Sequence, residues 1–268
     1  MSNYVDRKAQ IYPFRGEINS DSLQLEWSEA PWDTAIYGAP VLQITRIKVH
    51  GNDSIQDITA FELARDAAGS GLTSCRLSHD QLHESMLLES RGFRFIEMLY
   101  LPELGQLETR PLLDEGLLEI SRATESDLLG VVEIAGTAFR NERFYVDSRL
   151  SPRLSNLRYQ NWARDSFRHL TQCLFVVRDG PLLIGFFVTE DFPDGTCYWH
   201  LNAVATEHQG KGYGRRAWSA MINYARAKGA QRVRTSVAAR NYRVINLYAR
   251  LGFIFSPPLM TFHWVRAD

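Results

Sequence analysis

Residues 196–214 read TCYWHLNAVATEHQGKGYG, and the order of the parts in this stretch decides how the rest of the chain is read. Its first half alternates as a strand does, setting Tyr198, His200 and Asn202 on one face against Trp199, Leu201 and Ala203 on the other. Its second half, Gln209-Gly-Lys-Gly-Tyr-Gly214, runs into a segment where Trp218, Met221, Ile222 and Ala225 recur at helical spacing. Glycines at 210, 212 and 214 remove Cβ atoms where the helix begins. Backbone N–H groups can then converge on an anion, and the helix dipole adds favourable potential. That is the make-up of a diphosphate cradle, although a tight strand-to-helix connection also uses glycine. No Gly-Lys-Ser/Thr follows, so it is not a Walker loop. The GxGxG spacing after an antiparallel meander also differs from the dinucleotide fingerprint.

Outward from this stretch, QCLFVVRD, LLIGFFVTE and CYWHLNAVAT are three strand-like runs separated by the turns Gly180-Pro181 and DFPDGT. Gly229 stops the helix, QRVRTSVA reads as a strand, and Tyr242 to Leu251 as a helix closed by Gly252. IF and MTFHWVR read as closing strands. Upstream, LLEISRA is a strand, and Thr124 and Asp127 sit at capping-box spacing before a helix running to about Phe139. Residues 140–156, with Arg140, Arg143, Arg149, Arg153 and Pro152, read as a loop or as a loop with short helices, followed by a helix over roughly 157–168. In the first part, two strands flank a turn-like Pro31-Trp32-Asp33 within 23–49. Helices are expected over 56–68 and 79–91, strands over 72–77 and 93–101, and an acidic linker over 102–115. The expected division is a domain of residues 1–115, linker included, and a second of 116–268.

The two signatures of the second domain resemble the GNAT acyl-CoA-dependent N-acyltransferases. Their phosphate loop, Gln/Arg-x-x-Gly-x-Gly/Ala, is matched by Gln209, Gly212 and Gly214. Their later signature is matched by Asn241 and Leu247-Tyr248-Ala-Arg-Leu-Gly-Phe253. The resemblance covers 117–266. It implies an α/β fold whose mixed sheet, flanked by helices, splays to admit the pantetheine arm of acetyl-CoA or another short acyl-CoA, with no metal. It implies cofactor contacts from Ala203, Val204 and Ala205 through backbone groups and from Gln209, Gly210, Lys211, Gly212, Tyr213 and Gly214. Asn241 either contacts the cofactor or caps a helix. Tyr248 takes the place of the general acid that protonates the departing thiolate, while its helical spacing with Val244 and Leu251 equally suits core packing. His200 is the candidate base, or a satisfied structural histidine.

LHESMLLESRGFRFIE (82–97) aligns with YRVINLYARLGFIFSP (242–257) at an offset of 160, with Leu88 opposite Tyr248 and Gln81 opposite Asn241. The first domain therefore reads either as a degenerate GNAT half without acid or cradle, or as an unrelated helix-glycine-strand unit.

Trp27, the cluster Trp32 to Gly38, Ala138-Phe139, Arg143-Phe144 and Tyr159-x-x-Trp162 resemble, more loosely, the dTDP-4-amino-4,6-dideoxygalactose (dTDP-fucosamine) acetyltransferase group. That resemblance implies a dTDP- or UDP-linked amino sugar as acceptor, with Arg143, Phe144 and Asn202 toward it. Acceptors of other kinds are a protein N-terminus, a lysine or a polyamine, and a non-catalytic acyl-CoA-binding module is a further reading. A formal net charge of -1 gives no sign of nucleic-acid binding, yet it divides into 10 basic against 18 acidic residues before 116 and 20 against 13 after. The half expected to hold anions is the basic one. Three scattered cysteines suggest neither disulfides nor zinc. The start MSNYVDRKAQIYPF lacks a signal-peptide pattern, and no apolar run reaches 18 residues, so a cytoplasmic protein without a membrane span is expected, by default a homodimer.

Overall fold

The computed structural model describes residues 14–51, 53–113, 116 and 118–267. Backbone packing divides the chain into a first unit, residues 1–96 with 260–268, and a second unit, residues 97–259. In chain order, the elements up to the junction are β1 (Arg15–Asn19), β2 (Leu23–Glu29), α1 (Pro31–Tyr37), β3 (Val41–Val49), α2 (Ser54–Ala67), β4 (Leu72–Ser78), α3 (Leu82–Ser90) and β5 (Arg94–Tyr100). The second unit continues with β6 (Pro102–Leu104), β7 (Glu119–Arg122), α4 (Leu128–Ala138), α5 (Arg143–Val146), α6 (Pro152–Ser166), β8 (Gln172–Asp179), β9 (Leu182–Asp191) and β10 (Thr196–Val204). It ends with α7 (Tyr213–Ala227), β11 (Arg232–Thr235), β12 (Val237–Ala238), α8 (Tyr242–Arg250) and β13 (Ile254–Phe255). The last strand, β14 (Leu259–Val265), returns to the first unit.

Each sheet includes a strand from a distant part of the chain. In the first unit the order is β1-β2-β3-β4-β14-β5, so the C-terminal strand lies inside the sheet. In the second it is β13-β6-β11-β10-β9-β8-β7, with β6 between β11 and β13. This corrects the expected boundary at 115/116. Glu103 and Leu104 pair with Arg234 and Val233, and residues 108–113 of the expected linker are tied to α7. Arg226 donates to the Arg110 and Glu108 carbonyls at 2.7 and 3.0 Å, and Asn223 bonds both backbone groups of Leu113.

Two local expectations also shift. Pro31-Trp32-Asp33 opens a helix rather than a turn, because proline at the first helical position loses no intrahelical bond, and Gly38 closes that helix at φ +71°. The helix expected from 157 starts at Pro152 for the same reason. The Thr124 to Asp127 capping box is present, with Asp127 accepting from the Thr124 backbone and hydroxyl, each at 2.7 Å.

The second unit's sheet is apolar on both faces. One carries Phe187, Trp199, Trp218, Met221, Tyr248 and Phe253 with α7 and α8; the other carries Val131, Tyr159, Phe186, Leu201 and Ala203 with α4 and α6. The first unit buries Leu25, Ile44, Phe61, Leu88, Phe93 and Phe262 in one core.

The likeness between 82–97 and 242–257 extends over whole supersecondary units. In both, three antiparallel strands lead through a helix to a strand parallel to the third. That parallel pairing spans Val41–Ile44 with Leu72–Cys75 in one unit and Thr196–Trp199 with Arg232–Thr235 in the other. In both, the residue after the paired four, Thr45 or His200, is an extra residue against the preceding strand. The first unit therefore repeats this part of the second unit's topology.

Phe262, on the returning strand, is 1% exposed and meets Phe95 edge-on at 5.8 Å. Truncating such a ring costs about 3–5 kcal/mol. Phe262→Ala is expected to destabilise the first unit by that amount in urea titration, although residue 262 lies far from residues 14–96 in sequence.

Candidate active site

The site forms where β10 and β11 part. Their parallel ladder ends at Trp199 and Thr235, and the Thr235 hydroxyl donates to the Trp199 carbonyl at 3.0 Å. The next residue, His200, is the bulge, and its effect is to change which face each side chain meets. Strict alternation sets Tyr198, His200 and Asn202 together; the bulge keeps Tyr198 with His200 and turns Asn202 to the opposite face. Trp199 and Asn202 face the α7 and α8 side, where the Tyr248 hydroxyl approaches Asn202 Oδ1 at 3.4 Å. Leu201 and Ala203 pack on the α4 and α6 side. His200 stays on that second side, its ring against Tyr198 at 4.9 Å and Trp162 at 6.1 Å.

The strand edge open to the fork also differs from expectation. Ala205 N–H bonds Ile184 on β9 at 2.8 Å, so the backbone of Ala205, and by alternation that of Ala203, is turned toward β9. Asn202 and Val204 present the fork-facing groups instead. Of these, the Val204 carbonyl accepts from Gln209 Nε2 at 3.0 Å, which ties the glycine loop to the end of the strand.

Gly210 and Gly212 both take positive φ, 76° and 84°, and Gly212 stands directly before α7. No atom lies within 4 Å of where a Cβ would stand on either, so the loop keeps an open space lined by backbone at the helix start. The residues thus fit a diphosphate. Lys211 is exposed beside them, and Gly214 lies against Leu247 of α8. Asp179, which no sequence pattern marks, secures the helix start by accepting from the Tyr213 hydroxyl and Arg216, both at 3.2 Å. Asn241 occupies the N-cap position of α8, but its side chain makes no capping bond, so of its two readings the capping one falls away.

Tyr248 is 1% exposed, held by Phe253 and the core on the α7 side. Burial foremost pushes its hydroxyl up to about 12, so it carries its proton at neutral pH. His200 Nε2 lies 2.9 Å from Glu190 Oε2. Burial lowers its pKa below the ordinary value, and Glu190 opposes that shift. Glu190 sits near the end of a continuous apolar strand, and nothing in its spacing announces the pair.

Phe144 is not placed to touch a ligand. It is 1% exposed, with the Arg143 and Arg158 guanidinium groups 4.4 and 4.3 Å from its ring centre. Its neighbours in sequence made it look like a recognition aromatic; the ring is a packing element between two cations. Among the described residues no cluster of three or more metal-ligating side chains occurs, and no helix is long and apolar enough to cross a membrane.

Comparison with known proteins agrees with this architecture. Residues 133–253 match the profile of the Acetyltransferase (GNAT) family. Over 247 residues the chain is 21% identical to the spore coat polysaccharide biosynthesis protein SpsD of Bacillus subtilis (strain 168), covering 89% of this chain and 82% of that one. A GCN5-related N-acetyltransferase from Sphaerobacter thermophilus superposes with a TM-score of 0.63 at 13% identity, over 92% of this chain and 81% of that one. A tandem GNAT protein from the clavulanic acid biosynthesis pathway gives 0.59 at 14% identity, over 96% and 86%. Residues 133–253, within the second unit, thus match the GNAT acetyltransferase family, which generally uses acetyl-CoA; that match supports an N-acyltransferase enzyme, and the solved structures share the fold of the chain.

Two measurements check the site's electrostatics and backbone. Because folding lowers the pKa of His200, the unfolded chain takes up this proton first as pH falls through about 6.5. The histidine's contribution to stability is therefore complete above that pH and is lost on descending toward the folded value. His200→Gln should reduce the difference between urea stabilities measured at pH 7.5 and 5.5. At Gly212, alanine is forced into left-handed backbone at about 1–2 kcal/mol. Gly212→Ala should lower stability by that amount and raise the KM for acetyl-CoA.

Proposed function

We propose that the protein transfers an acetyl or other short acyl group from acyl-CoA to the amino group of a nucleotide-linked amino-deoxysugar. The observation that carries the acyl-CoA part is the fork, with a buried, protonated Tyr248 and Asn202 on one side and a glycine cradle at the adjoining helix start. A ligand lying along the fork would meet the edge groups of Asn202 and Val204, with its diphosphate at Gly210 to Gly214.

Because the sheet is open at this point, a thioester in the gap is reachable from both faces. His200, neutral at pH 7 and oriented by Glu190, removes a proton from the acceptor ammonium. The amine nitrogen then bonds to the thioester carbonyl carbon, and the carbon–sulfur bond breaks. Tyr248 donates its proton to the departing sulfur and regains one from the amine side, so that amide and thiol are the products. Asn202 serves as a positioning residue for the Tyr248 hydroxyl.

The sugar acceptor draws its support from the similarity to SpsD, whose name places it in polysaccharide biosynthesis, and from the aromatic and arginine landmarks near Arg143. A nucleotide sugar brings two phosphate charges, which suits the basic half of the sequence better than a polyamine does. The nearby Phe144 is withdrawn from this recognition set by its burial.

Removing the Tyr248 hydroxyl is expected to lower kcat by about 10²–10⁴, the usual worth of general acid catalysis, with a much smaller change in KM for acetyl-CoA. Steady-state kinetics of Tyr248→Phe give both parameters; unchanged kcat contradicts the acid assignment. Thiol release measured across dTDP- and UDP-amino sugars, peptides and polyamines should be largest with an amino sugar, and activity on peptides alone contradicts the acceptor reading.

A further inference from the structure

The first unit has the same fork as the second, yet its edge is already occupied. Four paired residues, a bulge and a parting of parallel strands recur at Val41–Thr45 and Thr196–His200. The backbone directions recur as well. His50 N–H bonds the Ser22 carbonyl just before β2 at 2.8 Å, as Ala205 N–H bonds Ile184. Ile47 and Val49 therefore face the fork, as Asn202 and Val204 do in the second unit.

In the first unit two side chains fill that edge. Gln81, at the N-cap position of α3, donates from Nε2 to the Ile47 carbonyl at 3.2 Å and accepts the Ser78 N–H at 2.9 Å. One amide thus bridges the two parted strands. Glu84, buried in the first turn of α3, accepts the Val49 N–H at 3.0 Å. At the repeat offset, Gln81 corresponds to Asn241 and Glu84 to Val244, and a valine cannot accept a hydrogen bond. The connection before the following helix also differs, with residues 50–53 against residues 205–212 and their glycines.

We infer that the first unit is a former acyl-CoA cleft sealed by its own side chains, Gln81 and Glu84 standing in for the amide groups a pantetheine would bring, so that the chain binds one acyl-CoA. This rests on the acyl-CoA reading of the second unit's fork. The substitution follows from elementary constraints: a parted strand edge in a protein interior must find partners, and a unit that has lost its ligand must supply them itself. Glu84 and Gln81 do so without a cofactor, which lets the first unit fold independently of ligand supply. Outside the seal the cleft remains open, about 380 Å³ bounded by residues including His50, Ser54, His83, Met86 and Leu87. The seal, rather than a filled cavity, is what excludes the pantetheine arm.

The test combines calorimetric titration of the full chain with acetyl-CoA and amide exchange at Val49. One site per chain is expected, with Val49 exchange unaffected by the ligand. Glu84→Ala should speed exchange of the Val49 amide about tenfold, the loss of one net hydrogen bond, while His50 stays protected. Glu84→Gln keeps an acceptor oxygen and should preserve Val49 protection, and neither variant should alter kcat of the second unit. Two sites per chain, protection of Val49 by acetyl-CoA, or equal Val49 exchange in the wild type and both variants overturns the inference. No binding at all would count against the acyl-CoA reading of the second unit, and the Val49 comparison among the variants would then decide the seal by itself.

Discussion

Everything distinctive in this molecule depends on two strands that stop hydrogen-bonding to each other partway along a sheet. Parallel strands normally hold their ladder for their full length because a buried N–H or C=O without a partner is costly. Here β10 and β11 part after Trp199 and Thr235, with His200 inserted as an extra residue at the break. The Thr235 hydroxyl closes the last rung, and Gln209 satisfies one carbonyl beyond it. The remaining fork-facing groups form a strand edge suited to a ligand with amides of its own.

The elements around the fork are held by contacts that keep its two sides fixed. On one side α7 is tied at its start to Asp179 and along its length to residues 105–113 through Asn223 and Arg226. That strap lies in the segment which also contributes β6 to the sheet. On the other side α4 and α6 pack against Leu201 and Ala203, and Glu190 holds His200. The proposed acid and base therefore belong to opposite faces of one sheet, and only the opening between the strands gives both access to the same atoms.

Much of this was legible in the sequence, because its strongest signals are local. The glycine loop, the Leu247 to Phe253 signature and the capping box at Thr124 each declare themselves within a few residues, and the structure has each in its expected element. The bulge was not legible: an inserted residue leaves the apolar and polar alternation of TCYWHLNAV intact while reversing the face of Asn202. Exchange of β6 and β14 between sheets was hidden for another reason. Pairing partners more than 100 residues apart leave no periodic trace, and Pro102-Glu-Leu104 is too short and too proline-marked to look like a strand. Phe144 misled because exposure cannot be read from composition; an aromatic among arginines suits a binding surface and a buried cation stack equally well.

The most direct test of the central claim is a crystal structure of the protein with a non-hydrolysable acyl-CoA. Pantetheine amides are expected on the Asn202 and Val204 edge, the diphosphate at Gly210 to Gly214, and the sulfur within hydrogen-bonding reach of the Tyr248 hydroxyl. A ligand bound away from the fork, or one whose sulfur faces no proton donor while the β10 edge remains bare, would contradict it.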